Sequence, residues 1–239
     1  MTSKTIAVKR DILEQKKAEA AALRDDMTQR ATLVVNLVSS PGAGKTTLLQ
    51  QIARHWKGRH TMAVLVGDLA TERDAERLRP FVPVQQLTTG GACHLELSLV
   101  KQGLSLLPDD HFDFLFIENI GNLVCPASHD LAEHVRVVLL SSTEGDDKPG
   151  KYPKMFRTSQ MLVLSKCDLL PYVPFSPDAA TEDALRIQPE ISVHQTSAVS
   201  GEGIASLCDA LEQLREQHVV AAVSEIENVH EPSIPSRHA

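Results

Sequence analysis

A mainly parallel β-sheet covered by helices on both faces is predicted by three features of this chain. Short apolar runs alternate with amphipathic stretches from Thr32 onward. The first run stops abruptly at a Gly-rich turn, and later runs end in carboxylates, at the strand ends where such sheets gather their ligands. The pattern predicts strands near 32–38, 62–67, 83–87, 113–118, 135–141, 160–165 and 192–196. Helices are expected near 45–56, 72–79, 92–106, 178–187 and 203–217.

Residues 4–30, rich in Lys, Glu, Ala, Arg and Gln with loosely periodic apolar positions, read as an added N-terminal helix. The chain is therefore expected to divide into a helical extension (1–30), a main domain holding the strand-and-helix alternation (31–218) and a flexible tail (219–239) with two late prolines. Residues 142–158, polar with paired Asp, Gly and Pro, read as a long surface loop, either a solvated excursion or a lid.

With 239 residues and 42% apolar content, one full core is affordable. The net charge of −7 argues against a polyanion surface, so no nucleic-acid partner is expected. Neither an 18-residue apolar stretch nor the apolar core of a signal peptide is present, which predicts a cytoplasmic protein with no membrane contact. Four scattered cysteines favour thiols or metal ligands over disulfides.

Residues 39–47 read SSPGAGKTT. A strand running into glycines and then a helix turns successive backbone N–H groups onto one point, where phosphate oxygens fit. This is a P-loop, and with the strand pattern it predicts a three-layer P-loop NTPase fold. Gly42, Ala43, Gly44, Lys45, Thr46 and Thr47 form the cradle; Lys45 reaches the β- and γ-phosphates, and the Thr46 hydroxyl is placed to ligate Mg²⁺. Ser39 stands where the pattern has its first glycine.

The strand at 114–117 ends in Glu118, with Gly121 three residues on. A carboxylate at that tip can hold Mg²⁺ directly or through water, while the Gly121 N–H can sense the γ-phosphate. Asp68 closes the strand at 63–67 and is either a helix cap or a further magnesium ligand; it can also serve as a base for the attacking water. Its strand is expected beside the phosphate loop. After the strand at 161–164 come Ser165, Lys166, Cys167 and Asp168. The Asp168 carboxylate can accept from guanine N1–H and the 2-amino group, which adenine lacks in that arrangement, and Lys166 can lie along the base. Ser165 replaces the usual Asn, and Ser197 and Ala198 complete a guanine loop, so GTP is favoured over ATP.

Cys93 and His94 follow two glycines at a predicted helix start, where a helix dipole lowers a thiol pKa. Cys125 lies four residues beyond Gly121. Thiolates with imidazole suit Ni²⁺ or Zn²⁺ rather than Mg²⁺, and two copies meeting about a two-fold axis could close a site that three ligands leave open. Equally, both cysteines could be small buried hydrophobes. Cys167 and Cys208 read as packing residues, and His129 and His134 as surface or capping groups.

Taken together, the segments SSPGAGKTTLL, GDLATERDAERL, GGACHLE, FIENIGNLVCPA, STEGDDKPGKYPKMF and SKCDLLPYV resemble the hydrogenase-maturation nickel-insertion GTPases of the HypB family, over about residues 30–217. The resemblance implies a GTPase of the SIMIBI class that hydrolyses GTP to GDP, dimerises with GTP and helps deliver nickel to the large-subunit precursor of a [NiFe] hydrogenase. A HypA-type nickel metallochaperone is the implied partner. It further implies that Cys93, His94 and Cys125 bind Ni²⁺ or Zn²⁺ at the dimer interface, and that Thr46, Asp68 and Glu118 hold Mg²⁺. Residues 1–30 contain neither Cys nor His, unlike members with an N-terminal nickel motif. The competing expectations are a urease-type nickel GTPase and a metal-storage protein with a structural nucleotide site.

Overall fold

The computed structural model describes residues 3–68, 72–108 and 111–223, with side chains from residue 13. Seven strands, β1 (Leu33–Ser39), β2 (Met62–Asp68), β3 (Val84–Thr88), β4 (Phe114–Gly121), β5 (Val135–Ser141), β6 (Met161–Ser165) and β7 (Ser192–Gln195), form one sheet in the order β3-β2-β4-β1-β5-β6-β7. All six pairings are parallel. Both sheet faces are covered, so β1 and β5 are buried at every position, as their unbroken apolar runs require.

The helices are α1 (Ser3–Gln29), α2 (Lys45–Trp56), α3 (Arg73–Leu78), α4 (Leu97–Leu104), α5 (Lys148–Lys151), α6 (Pro153–Arg157), α7 (Pro177–Ile187) and α8 (Ile204–Arg215). Strand alternation sorts them into layers. Leu33, Val35 and Leu37 of β1 join Leu49, Ile52 and Trp56 of α2 and Leu207 and Leu211 of α8 on one face. Trp56 stacks on Phe114 with ring centroids 4.1 Å apart, which pins α2 over β4. On the opposite face, Met27 of α1 and Val100 of α4 cover Val34 and Ile117, while Met155 and Phe156 of α6 and Ala180 of α7 cover Val138 and Leu140.

Four expectations are corrected. The stretch 142–158 is not a solvated loop: α5 and α6 lie within it, and Met155 and Phe156 are fully buried. The helix placed at 92–106 begins only at Leu97, because Gly90 and Gly91 adopt φ of +63° and +98° and turn the chain before it can start. Strand β2 is not adjacent to β1; β4 lies between them, so Asp68 ends a strand one removed from the phosphate loop. The last helix continues past Arg215 through a π-helical turn, Glu216–Val220, and Val219, assigned from sequence to the tail, is buried on the core. The remainder of the tail, from residue 224, lies outside the described residues. Among the described residues no helix is long and apolar enough to cross a membrane.

Candidate nucleotide and metal site

The carboxyl ends of the central strands β1 and β4 meet at the Gly-rich turn. Gly42 and Gly44 take φ of +74° and +100°, a region that L side chains avoid, and Gly44 caps α2 from that conformation. Ser39 is the last residue of β1 and lies outside that left-handed stretch, so its side chain brings no backbone strain. Its hydroxyl donates to the Ser40 carbonyl at 2.6 Å and accepts from Lys45 Nζ at 3.0 Å. Gly121 pairs with Ser39 across the ladder and packs so closely that a Cβ there would stand 2.8 Å from Pro41 Cα. The end of β4 is thereby pressed against the phosphate turn.

Burial dominates the electrostatics. Lys45 is buried and its pKa is lowered by desolvation, against the pull of Glu118, Asp74, Glu144 and Asp68. The field of these carboxylates favours the charged ammonium that burial disfavours. Glu118 is buried and desolvation pushes its pKa up to about 7, opposed by Lys45 and by the Thr46 hydrogen bond. Thr46 Oγ1 donates to Glu118 Oε1 at 2.7 Å, while Glu118 Oε2, also buried, has no hydrogen-bond partner. A buried carboxylate oxygen left bare beside a hydroxyl suits a hard divalent cation, so Thr46 and Glu118 fit Mg²⁺. Arg77 of α3 donates to Thr47 Oγ1 at 3.0 Å and pairs with Asp74 at 3.3 Å, tying α3 to the first turn of α2.

Next to the cradle lies a 280 Å³ pocket lined by Ala43, Gly44, Ser165, Lys166, Asp168 and Ala198, among others. Ser165 Oγ donates to the Ala43 carbonyl at 2.8 Å, so the hydroxyl braces the phosphate turn from the end of β6. Lys166, in the left-handed region at φ 58°, lays its chain over Gly44 and donates to the Gly42 carbonyl at 2.8 Å. Asp168 Oδ1 accepts from Ser197 Oγ at 2.6 Å. One carboxylate oxygen is oriented and the pocket carries the polar set that a guanine edge requires.

The third cluster joins two turns. Cys93 Sγ lies 2.8 Å from Cys125 Sγ and 3.8 Å from His94 Nδ1, and donor atoms of these three residues all fall within 4.8 Å of one another. The Cys93 pKa is raised, first by its hydrogen bond to Cys125, which corrects the expectation of a dipole-lowered thiol. With α4 starting at Leu97, Cys93 stands in the preceding turn, outside the reach of the helix end. Two sulfurs so close offer a pair of soft donors to one cation, whose binding would displace their protons.

The comparisons with known proteins bear on this whole constellation. The model of the "CobW/HypB/UreG, nucleotide-binding domain" family matches residues 33–195. A HypB hydrogenase maturation factor of Azotobacter vinelandii is 43% identical over 214 residues, covering 89% of this chain and 71% of that protein. The chain belongs to the HypB family within the CobW/HypB/UreG nucleotide-binding proteins. A hydrogenase/urease maturation factor HypB of Helicobacter hepaticus is 42% identical over 223 residues, covering 91% of each chain. Among solved structures, HypB from Helicobacter pylori in complex with nickel superposes with a TM-score of 0.81 at 37% identity, over 86% of this chain and 97% of that one. Like the HypB family it belongs to, the chain is a P-loop GTPase.

Several residues of this HypB-family site escaped the sequence reading. Asn119 follows Glu118 on β4 and therefore points to the opposite sheet face. There its Nδ2 donates to Asn36 Oδ1 at 3.1 Å, and Asn36 Nδ2 donates to Glu133 Oε1 at 3.1 Å. Glu133 is paired with Arg136, which also donates to the His129 carbonyl at 2.8 Å. His129 in turn contacts the Cys125 carbonyl through Nδ1 at 2.9 Å. A polar chain thus runs from the nucleotide side of β4 to the cysteine turn. An Asn inside an apolar strand, as in LVVNLV, is the signal that marks it: a buried amide needs partners. His134 is half-buried rather than a surface group; it accepts from the Val34 N–H at 2.9 Å, and burial lowers its pKa to about 4.

Proposed function

We propose that this GTPase is a cytoplasmic metallochaperone that assists nickel insertion during [NiFe]-hydrogenase maturation. A HypA-type nickel donor and the large-subunit precursor are its partners. The observation that carries the reading is the 2.8 Å approach of Cys93 and Cys125 beside His94, with Cys125 on the turn that leaves β4, the strand beside the phosphate turn. The HypB relatives are named hydrogenase maturation factors, and one was crystallised with nickel. The relative named for urease as well supports a second client class for the same chemistry.

The geometry supports the following residue roles. Backbone groups of residues 42–47 and Lys45 hold the phosphates, and Asp168, Lys166, Ser197 and Ala198 read guanine. Thr46 and Glu118 would hold Mg²⁺, with Asp68 acting from the second strand, and the ion would supply positive charge that offsets the charge of the phosphates. Gly121 senses the γ-phosphate, and any shift of β4 is felt by Asn119, Asn36, Glu133 and Arg136, and so by the Cys125 turn. Nickel or Zn²⁺ is cargo at Cys93, His94 and Cys125. Val124, 61% exposed beside Cys125, favours a second copy covering this face, so GTP-dependent dimerisation completes the ligand set.

Nickel titration of the nucleotide-free, GDP-bound and GTP-analogue-bound protein, followed by sizing chromatography, tests the coupling. Affinity and dimer fraction should differ among the three states, because coupling free energy is reciprocal. Cys93→Ala and Cys125→Ala should remove the ion held by the thiolate pair, and with it the dependence of nickel affinity on nucleotide. Equal affinity in all states removes the coupling. Unchanged GTP hydrolysis in Lys45→Ala would instead favour a storage protein with a structural nucleotide.

A further inference from the structure

His94 stands between two donor sets. Its Nδ1 faces the Cys93 sulfur at 3.8 Å, and its Nε2 faces Glu96 Oε1 at 3.6 Å. On that second side, donor atoms of His94, Glu96 and His129 all lie within 4.8 Å of one another. We propose that His94, Glu96 and His129 form a second, oxygen- and nitrogen-rich position for a divalent transition-metal ion, adjoining the thiolate pair and sharing His94 with it. The inference rests on the reading of the cysteine cluster as a nickel site and adds a place for the ion to go.

Three observations support it. His129 Nδ1 lies 2.9 Å from the Cys125 carbonyl, which can only accept, so Nδ1 carries the proton and Nε2 is left with its lone pair. A ligating histidine characteristically donates its other N–H to a backbone carbonyl, and His129 meets that requirement. Glu96 is oriented from behind: Lys16 on α1 holds Oε2 at 3.0 Å and leaves Oε1 toward the imidazoles. Finally, Glu96 and His129 line a 670 Å³ cleft against α1, with room for water in the remaining coordination positions. Two imidazoles and one carboxylate with open positions make an exchange site rather than a closed structural one.

As placed, the rings of His94 and His129 are stacked, with centroids 3.7 Å apart and planes 24° from parallel. Their in-plane lone pairs run side by side, so an ion held by both requires the rings to splay about their side-chain torsions. Both residues are only half-buried, which leaves room for that rotation. Because His94 presents Nδ1 to the sulfur pair and Nε2 to Glu96, the two positions adjoin across one imidazole ring, and an ion that leaves the sulfurs meets nitrogen and oxygen donors on its other side.

The test uses the full chain and Ni²⁺, with Co²⁺ as spectroscopic probe. A Cys93→Ser/Cys125→Ser protein should still bind one Ni²⁺ per chain by equilibrium dialysis, and its Co²⁺ form should lack sulfur-to-metal charge transfer. Adding His129→Phe, which keeps an aromatic ring for stacking, or Glu96→Gln should weaken that ion at least tenfold. In the cysteine-intact protein, His129→Phe should leave the sulfur charge-transfer band in place. Loss of all Ni²⁺ in the double cysteine variant, or residual binding indifferent to both His129→Phe and Glu96→Gln, would overturn the second position. Absence of the sulfur band in the unmodified protein would instead overturn the cysteine site on which it builds.

Discussion

Thr46 Oγ1 donates to Glu118 Oε1 at 2.7 Å, and among the described residues this hydroxyl is the only hydrogen-bond donor to a carboxylate that is 3% exposed. Burial without full pairing is why Glu118 titrates near 7. Because this lies above the ordinary glutamate value of 4.5, the folded chain holds the extra proton between those two values. Stability of the nucleotide-free protein should therefore fall as pH rises from about 4.5 to about 7, by about 3 kcal/mol from this group. Denaturant melts of the nucleotide-free protein across pH 5–8 should show that slope, and Glu118→Gln should flatten it. Binding of Mg²⁺ needs the ionised form, so below about pH 7 it should release a proton and weaken with acidity. A slope unchanged in Glu118→Gln would assign the titration to another group.

Asp168 presents one carboxylate oxygen to Ser197 at 2.6 Å and leaves the other for a base edge. Replacement by Asn turns an acceptor into a donor. Asp168→Asn should weaken GTP binding about 100-fold, on the basis of charged hydrogen bonds worth about 1.5–3 kcal/mol each. It should bind xanthosine triphosphate better than GTP, since xanthine carries a carbonyl where guanine has its amino group. Competition assays with both nucleotides would reveal the switch, and retained GTP preference would place base recognition elsewhere.

Ser165 reaches Ala43 across 122 positions of sequence to brace the phosphate turn at 2.8 Å. Removing the hydroxyl in Ser165→Ala forfeits about 1 kcal/mol, or about fivefold in GTP affinity. Ser165→Asn should retain most of the affinity, because the amide can donate to the same carbonyl. Titration with a fluorescent GTP analogue distinguishes the two; equal loss in both would mean the pocket tolerates only serine.

Gly203 caps α8 at φ +72°, and a Cβ there would stand 1.9 Å from the Gln195 carbonyl oxygen. The helix cannot approach the guanine loop so closely with any other residue. Gly203→Ala should destabilise the fold by on the order of 3 kcal/mol, lowering Tm by about 6–12 °C. Guanine affinity should drop as well, since residues 196–198 follow the displaced carbonyl. A melting curve matching the unmodified protein would show that the loop shifts freely.

The phosphate turn and the strand-and-helix alternation were legible in the chain itself, which also marked Lys166, Asp168, Ser197 and Ala198 as guanine candidates and Cys93, His94 and Cys125 as metal candidates, with packing left open for the two cysteines. They are local signals: a glycine that must adopt positive φ, a period that matches a strand, a ligand type that suits one kind of ion. Which strands are neighbours was not legible, because β-pairing joins residues far apart and the order places β4 between β1 and β2. Burial inside 142–158 was hidden for a similar reason, since Met155 and Phe156 acquire their apolar surroundings from β5, β6 and α7. The tertiary structure alone decided that Asn119 turns away from Glu118 to meet Asn36, and that His129 lies against His94. Short-range chemistry is written residue by residue, whereas the pairing of a buried amide or a second imidazole depends on which distant segment the packed core brings alongside it.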